Sequence, residues 1–249
     1  MIQIFNGTVP DFLVRDDEIL WHGTSNVSEG FLDKMHPVPF AWFSKEELKK
    51  IISIYHKIGW AGIHGGGFAV LDTFSLYDFE DDIKKNIYLG ETVQRAKLYA
   101  SADFAGGELV RSIYYSIKDL IRYSSEPDIR EKNADYIERE NEFNFIKKSV
   151  YLEDISNDLI ALSDIMKKAT EIRSAFKTGI IYGYKILRHD YNKLLYRGGM
   201  GILLKESLDP ATKVYKVVLI KDEQFNEFTQ DKDRFSRTVI WQKRIKSDH

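Results

Sequence analysis

Apolar residues along this 249-residue chain recur at two different periods, and their order constrains the fold more than any other feature. From Gly107 to about 178 the spacing is helical. Before it the pattern is mixed, and after it strand-like. Val110, Ile113, Tyr114, Ile117, Leu120 and Ile121 recur every three or four residues, which predicts an amphipathic helix. A second long helix is expected from about Ser149 to Lys177, with Leu159, Leu162, Ile165, Met166, Ala169, Ile172 and Phe176 as its stripe and Gly179 as its stop. After Gly179 the period returns towards two. Ile180 to Leu187, Leu194 to Leu204, Val214 to Ile220 and Thr238 to Trp241 all read as strands, with Gly198-Gly199 as a turn. The expected architecture is α+β: one domain over 1–249, with a central helical insertion (about 107–178) between two β-rich parts.

The first hundred residues are mixed. Ile19 to Trp21 reads as a strand. Ser44-Lys45-Glu46-Glu47 is a capping-box signature opening a helix with Leu48, Ile51, Ile52 and Tyr55 on one face, ending at Gly59. A glycine-rich loop follows at Gly62 to Gly67. Asn86 to Leu89 is a second short strand, and Glu91 to Ser101 a helix whose Ala96 and Ala100 permit close packing. Glu126 to Glu142 carries seven acids against three bases and reads as a solvated loop or polar helix.

Composition removes several function classes. There are no cysteines, hence no disulfide, thiolate metal site or cysteine nucleophile. A formal net charge of −2 argues against a globally basic nucleic-acid binder. No apolar run reaches membrane-spanning length and the start lacks a secretory pattern, so a soluble protein of the cytoplasm is expected, with delivery into a host cell left open. Neither Gly-X-Gly-X-X-Gly after a strand nor a Walker-type loop occurs. His189-Asp190 has no second cluster at ligand spacing, so no metal is expected. His64 beside its glycines reads as an exposed loop residue, and the basic tail (Lys232, Arg234, Arg237, Lys243, Arg244, Lys246) as a charged surface or a contact for an anionic acceptor.

One segment carries chemistry. Ile19-Leu20-Trp21-His22-Gly23-Thr24-Ser25 delivers a histidine from an apolar strand onto a glycine and two hydroxyls. A residue without Cβ lets a flat ligand approach the backbone beside an imidazole. A histidine in an apolar strand is more often a satisfied core residue. Here Ile87-Tyr88-Leu89, followed eleven residues on by Tyr99, supplies two further aromatics in matching surroundings.

These pieces resemble the His-Tyr-Glu class of ADP-ribosyltransferases, which includes diphtheria-type toxins, poly-ADP-ribose polymerases and rifampin-modifying enzymes. The matching residues are Leu20-Trp21-His22-Gly23-Thr24 and Ile87-Tyr88-Leu89 leading to Tyr99, about fifty residues in all. The resemblance implies a split β-sheet core and NAD as co-substrate, without a metal. His22 would hold the nicotinamide-side or the adenosine ribose, Gly23 the carboxamide, with Thr24 beside it. Tyr88 and Tyr99 would stack on the nicotinamide. The enzyme would stabilise an oxocarbenium-like state and release nicotinamide. The class places a glutamate on a late strand. Thr238 stands at that position here, so Glu227 is favoured as the acid, with Glu223 as the alternative. Mono-transfer is implied, to an acceptor protein, nucleic acid or small molecule, and the helical insertion offers a surface for a partner. A silent binding module of the same fold is the alternative reading.

Overall fold

The computed structural model describes residues 2–7, 9–14, 16–29, 42–58, 87–125, 156–196, 202–204, 208, 212–219 and 234–246. In chain order the elements are β1 (Gln3–Asn6), α1 (Asp11–Val14), β2 (Ile19–Ser25), α2 (Lys45–Ile58), β3 (Ile87–Leu89), α3 (Val93–Tyr99), α4 (Glu108–Ser125), α5 (Ser156–Ser174), β4 (Gly179–Lys185), β5 (Leu194–Tyr196), β6 (Ile202–Leu204), β7 (Lys213–Val218) and α6 (Arg234–Lys246). Short 3-10 turns cover Ala102–Phe104 and Arg188–Lys193. The protein is therefore mixed α+β, with two sheets among the described residues.

The chain divides into two compact units. One comprises Met1–Pro39, Glu80–Gly107 and Ala175–His249; the other comprises Phe40–Phe79 and Glu108–Ser174. The second is helical. Leu48, Ile51 and Ile54 of α2, Val110, Ile113, Ile117 and Leu120 of α4, and Leu162, Ile165, Ala169 and Ile172 of α5 are among its buried apolar positions. α5 packs against α2 and against α4. The capping box forms as expected: the Ser44 amide donates to Glu47 Oε2 (2.6 Å) and the Glu47 amide to Ser44 Oγ (3.1 Å). Ile54, rather than Ile52, completes the buried stripe of α2.

The first unit holds both sheets. One has strand order β1-β7-β4-β2, with β1 parallel to β7 and the other neighbours antiparallel; the other is the antiparallel β3-β6-β5. One bridge joins them, Trp21 to Gly90. β2 is buried on both faces, so its residues sort by alternation. Leu20 faces a core with Leu89, Ile180, Tyr184, Leu194, Ile202 and Trp241. Ile19 and Trp21 face the opposite core, with Val93, Ala96 and Ala100 of α3.

Thr238 to Trp241, expected as a strand, is helical and belongs to α6. The run Thr-Val-Ile-Trp has high strand propensity, but burial decides against it. Arg237, Trp241 and Ile245, spaced four apart, are buried while Val239 and Lys243 between them are not, which is a helical period; a strand would turn all five to one face. Arg237 is spent internally, its guanidinium donating to the carbonyl oxygens of Val14, Asp16 and Glu91. Arg244 reaches the Asp17 carbonyl at 2.7 Å. Two cations of the basic tail are thus structural.

Candidate functional site

The site lies where β2 and β3 part. Trp21 and Gly90 exchange both backbone hydrogen bonds (Trp21 N–H to Gly90 O, 2.8 Å; Gly90 N–H to Trp21 O, 2.6 Å). In an antiparallel ladder the next such pair, two residues along each strand, is Gly23 with Tyr88. That pair does not form. His22 Nδ1 instead bonds the Tyr88 carbonyl oxygen at 2.9 Å. The imidazole takes the acceptor that a continued ladder would have given to the Gly23 amide. Because Gly23 pairs with Ile181 across the sheet at a non-hydrogen-bonded position, its N–H and C=O face the opened edge, with no partner among the described residues.

Donation from Nδ1–H fixes the His22 tautomer and leaves Nε2 as an acceptor. The ring stays neutral at neutral pH. Burial pushes its pKa below the usual imidazole value, the Tyr88 carbonyl pulls the other way, and the Lys213 cation adds to the lowering. A neutral imidazole with one free lone pair suits a hydroxyl donor such as a ribose.

Gly23 has a second, structural reason to be glycine. A Cβ there would lie 1.7 Å from the Ala96 carbonyl oxygen and 2.9 Å from the Ala100 nitrogen. Gly179, two positions along on the neighbouring strand, meets the Ala100 oxygen in the same way at 2.1 Å. The last turn of α3 therefore rests directly on the sheet. Its first turn is capped by Thr92, whose Oγ1 accepts from the Arg95 amide at 3.4 Å. This close approach holds Tyr99 at the end of α3, where its ring meets Phe104 edge-on at 4.8 Å.

On the His22 face a polar row crosses the sheet. His22 is directly opposite Tyr182 of β4, and Tyr182 directly opposite Lys216 of β7. Lys213, only 6% exposed, sits over the Tyr182 ring with Nζ 3.7 Å from the centroid. Glu29, four residues past β2, accepts from the Tyr182 hydroxyl at 2.9 Å and from Lys216 Nζ. Burial alone would raise the Glu29 carboxyl. The Lys216 and Tyr182 hydrogen bonds and the Lys216 and Lys213 charges outweigh it, so the pKa is lowered and the carboxylate is held ionised.

Of the expected site residues, His22 and Tyr88 are brought into direct contact, Gly23 adjoins them, Thr24 is buried on the His22 side of β2, and Tyr99 ends the helix that covers Gly23. Glu227 and Glu223 lie outside the described residues, as do Gly62 to Gly67, His64 and Glu126 to Glu142. Thr238 is on α6, where its hydroxyl meets Glu91 Oε1 at 3.4 Å; it does not occupy a strand position. The late strands β5, β6 and β7 carry no carboxylate. His189 is 73% exposed, and its neighbour Asp190 is buried in an ion pair with Lys193 at 2.7 Å. Among the described residues no group of three or more His, Asp or Glu could hold a metal ion. No helix among them is long and apolar enough to cross a membrane.

Tyr182, Lys213, Lys216 and Glu29 were not singled out from sequence. Alternation along β4 and β7 was a usable signal for the faces of Tyr182 and Lys216. Nothing periodic marks Glu29.

Comparison with protein-family models, with curated proteins and with solved structures found no match.

Proposed function

We propose that the chain is an NAD-dependent mono-ADP-ribosyltransferase with a split-sheet core of the His-Tyr-Glu type. The observation that carries this reading is the ladder opened at Gly23. A backbone N–H and C=O side by side on an unpaired edge complement a primary carboxamide, which offers one acceptor and two donors. The nicotinamide carboxamide has that chemistry. The Tyr88 strand lies across the opening, and its ring, with Tyr99, is assigned to stacking on the pyridine. His22 Nε2 accepts a ribose hydroxyl, while its Nδ1–H keeps the strands apart.

NAD supplies there an electrophilic ribose carbon whose bond to nicotinamide is broken as ADP-ribose passes to the acceptor. The chain's own contribution is orientation: a rigid amide clamp on a strand, a ring-stacking wall and a neutral hydrogen-bond acceptor at the ribose. The acid that would stabilise the developing positive charge is assigned to Glu227, with Glu223 as the alternative. The acceptor is a macromolecule or a small molecule.

Among the described residues the late strands carry no carboxylate, which favours a second reading, a silent module that binds NAD or ADP-ribose through the same edge. One experiment separates the two. Purified protein and its His22→Ala variant are incubated with labelled NAD and a bacterial lysate, following free nicotinamide and label transfer. Nicotinamide release with a labelled product, lost in the variant, supports the transferase. Binding without release supports the silent module, and absence of both binding and release rejects the family reading.

A further inference from the structure

We propose that the protein forms a weak two-fold dimer in which β1 of one copy pairs antiparallel with β1 of a second, joining their two four-stranded sheets. The inference is independent of the dinucleotide reading above. β1 lies at one end of the order β1-β7-β4-β2, and β2, which carries His22, lies at the other. The Gly7 N–H donates to the Val218 carbonyl oxygen at 2.8 Å, which fixes the two sides of β1. In a parallel pair, alternate residues turn both backbone groups to the same neighbour. Those of Phe5 therefore serve β7. The N–H and C=O of Ile4 and Asn6 point outward, with no partner among the described residues.

A monomer blunts such an edge with a charge, a proline or a bulge. β1 has none of these: Gln3-Ile4-Phe5-Asn6 pairs with β7 without a register shift, and from Ile2 onward the first charged residue is Asp11. Ile4 is 61% exposed, and Ile2 beside it is exposed too. Phe5 meets the exposed Phe12 of α1 edge-on at 6.1 Å, so both faces of the edge carry apolar surface. The missing charge also names the occupant. A two-fold interface sets each residue near its own copy, so a charged edge would repel itself. This strand brings no charge to the axis, and Lys216, beside Ile4, is already paired with Glu29. With Ile4 and Asn6 outward, Ile4 of each copy pairs with Asn6 of the other through about four backbone hydrogen bonds. Phe5 then faces Phe5 of the second copy on the axis, as a close side-chain pair. Gly7, at φ 96°, turns the chain and ends the ladder there. So short an interface falls below the area of a permanent dimer, hence the weak association.

The test is sedimentation equilibrium of the full chain in a concentration series reaching about 0.5 mM. The mass should rise from 29.0 kDa towards twice that value. Ile4→Lys should weaken association at least about tenfold. Ile160→Lys, at an exposed apolar position of the helical unit, should associate like the wild type. Phe12→Ser, off the strand, probes the same edge if Ile4→Lys does not fold. Because the chain has no cysteine, Phe5→Cys should give a disulfide-linked dimer on mild oxidation. Gln3→Cys, about 13 Å from its copy in this register, should not. A wild type that stays monomeric throughout overturns the proposal and leaves the edge to a strand of another protein. A dimer that both Ile4→Lys and Phe12→Ser leave intact overturns it as well, and a dimer without the Phe5→Cys crosslink overturns this pairing.

Discussion

Gly23 and Ala96 meet backbone to backbone: the Cβ that glycine lacks would lie 1.7 Å from the Ala96 carbonyl oxygen. One residue thus answers two demands. Its open edge is the proposed amide clamp, and its bare Cα is the floor on which the last turn of α3 rests.

Gly23→Ala should therefore act first on stability. The obstructing atoms are backbone, so either the helix or the strand must shift, at a cost of about 3 kcal/mol or more. Urea unfolding measures this directly. A loss under about 1 kcal/mol would show that α3 does not press on β2 as described.

His22 should make stability depend on pH. Its folded pKa is lowered, chiefly by burial, from an unfolded value of 6.5. The unfolded chain therefore binds the proton first as pH falls. Stability from this residue is full above 6.5 and declines below it until the folded pKa is reached. Unfolding free energies measured from pH 8 down to about 5.5 should fall, and His22→Asn should flatten the decline in that window.

Arg237 should matter more than a tail cation would. It is 92% buried by complement of its 8% exposure and serves three carbonyl oxygens, those of Val14, Asp16 and Glu91. Arg237→Ala strands these acceptors and opens a cavity, which should cost about 3 kcal/mol in a chemical-denaturation experiment. Lys243→Ala, at an exposed position of the same helix, should change stability by less than about 0.5 kcal/mol.

Ser44→Ala should lower stability by about 1 kcal/mol, since it removes one half of the capping box and leaves the Glu47 amide without its acceptor. Ser44→Asp, which restores an acceptor at the helix start, should recover most of the loss in the same melt.

Period alone located most elements. The helices of α4 and α5 follow from their three- and four-residue spacing, and β2, β3, β4 and β7 from apolar runs bounded by turns. The pairing of His22 with Tyr88 across sixty-six positions was legible only as two motifs in matching surroundings. That the imidazole would bond the Tyr88 carbonyl and open the ladder depends on where two strands stop running together. Thr238 to Trp241 went the other way: strong strand formers became helix, with burial recurring every four residues at Arg237, Trp241 and Ile245 and passing over Val239 and Lys243.

The sequence by itself determined most of the local conformation, Thr238 to Trp241 excepted, and the residue types on offer at the candidate site, because these depend on side chains a few positions apart. Only the tertiary structure decided which of them meet. The row from His22 through Tyr182 to Lys216 exists because β2 pairs with β4 and β4 with β7 in one register; a slip of one residue would send Tyr182 to the opposite face. Glu29 reaches that row through two hydrogen bonds spanning more than 150 positions of chain. Register and long-range contact are set by the burial of whole faces, and no short window of residues contains that information.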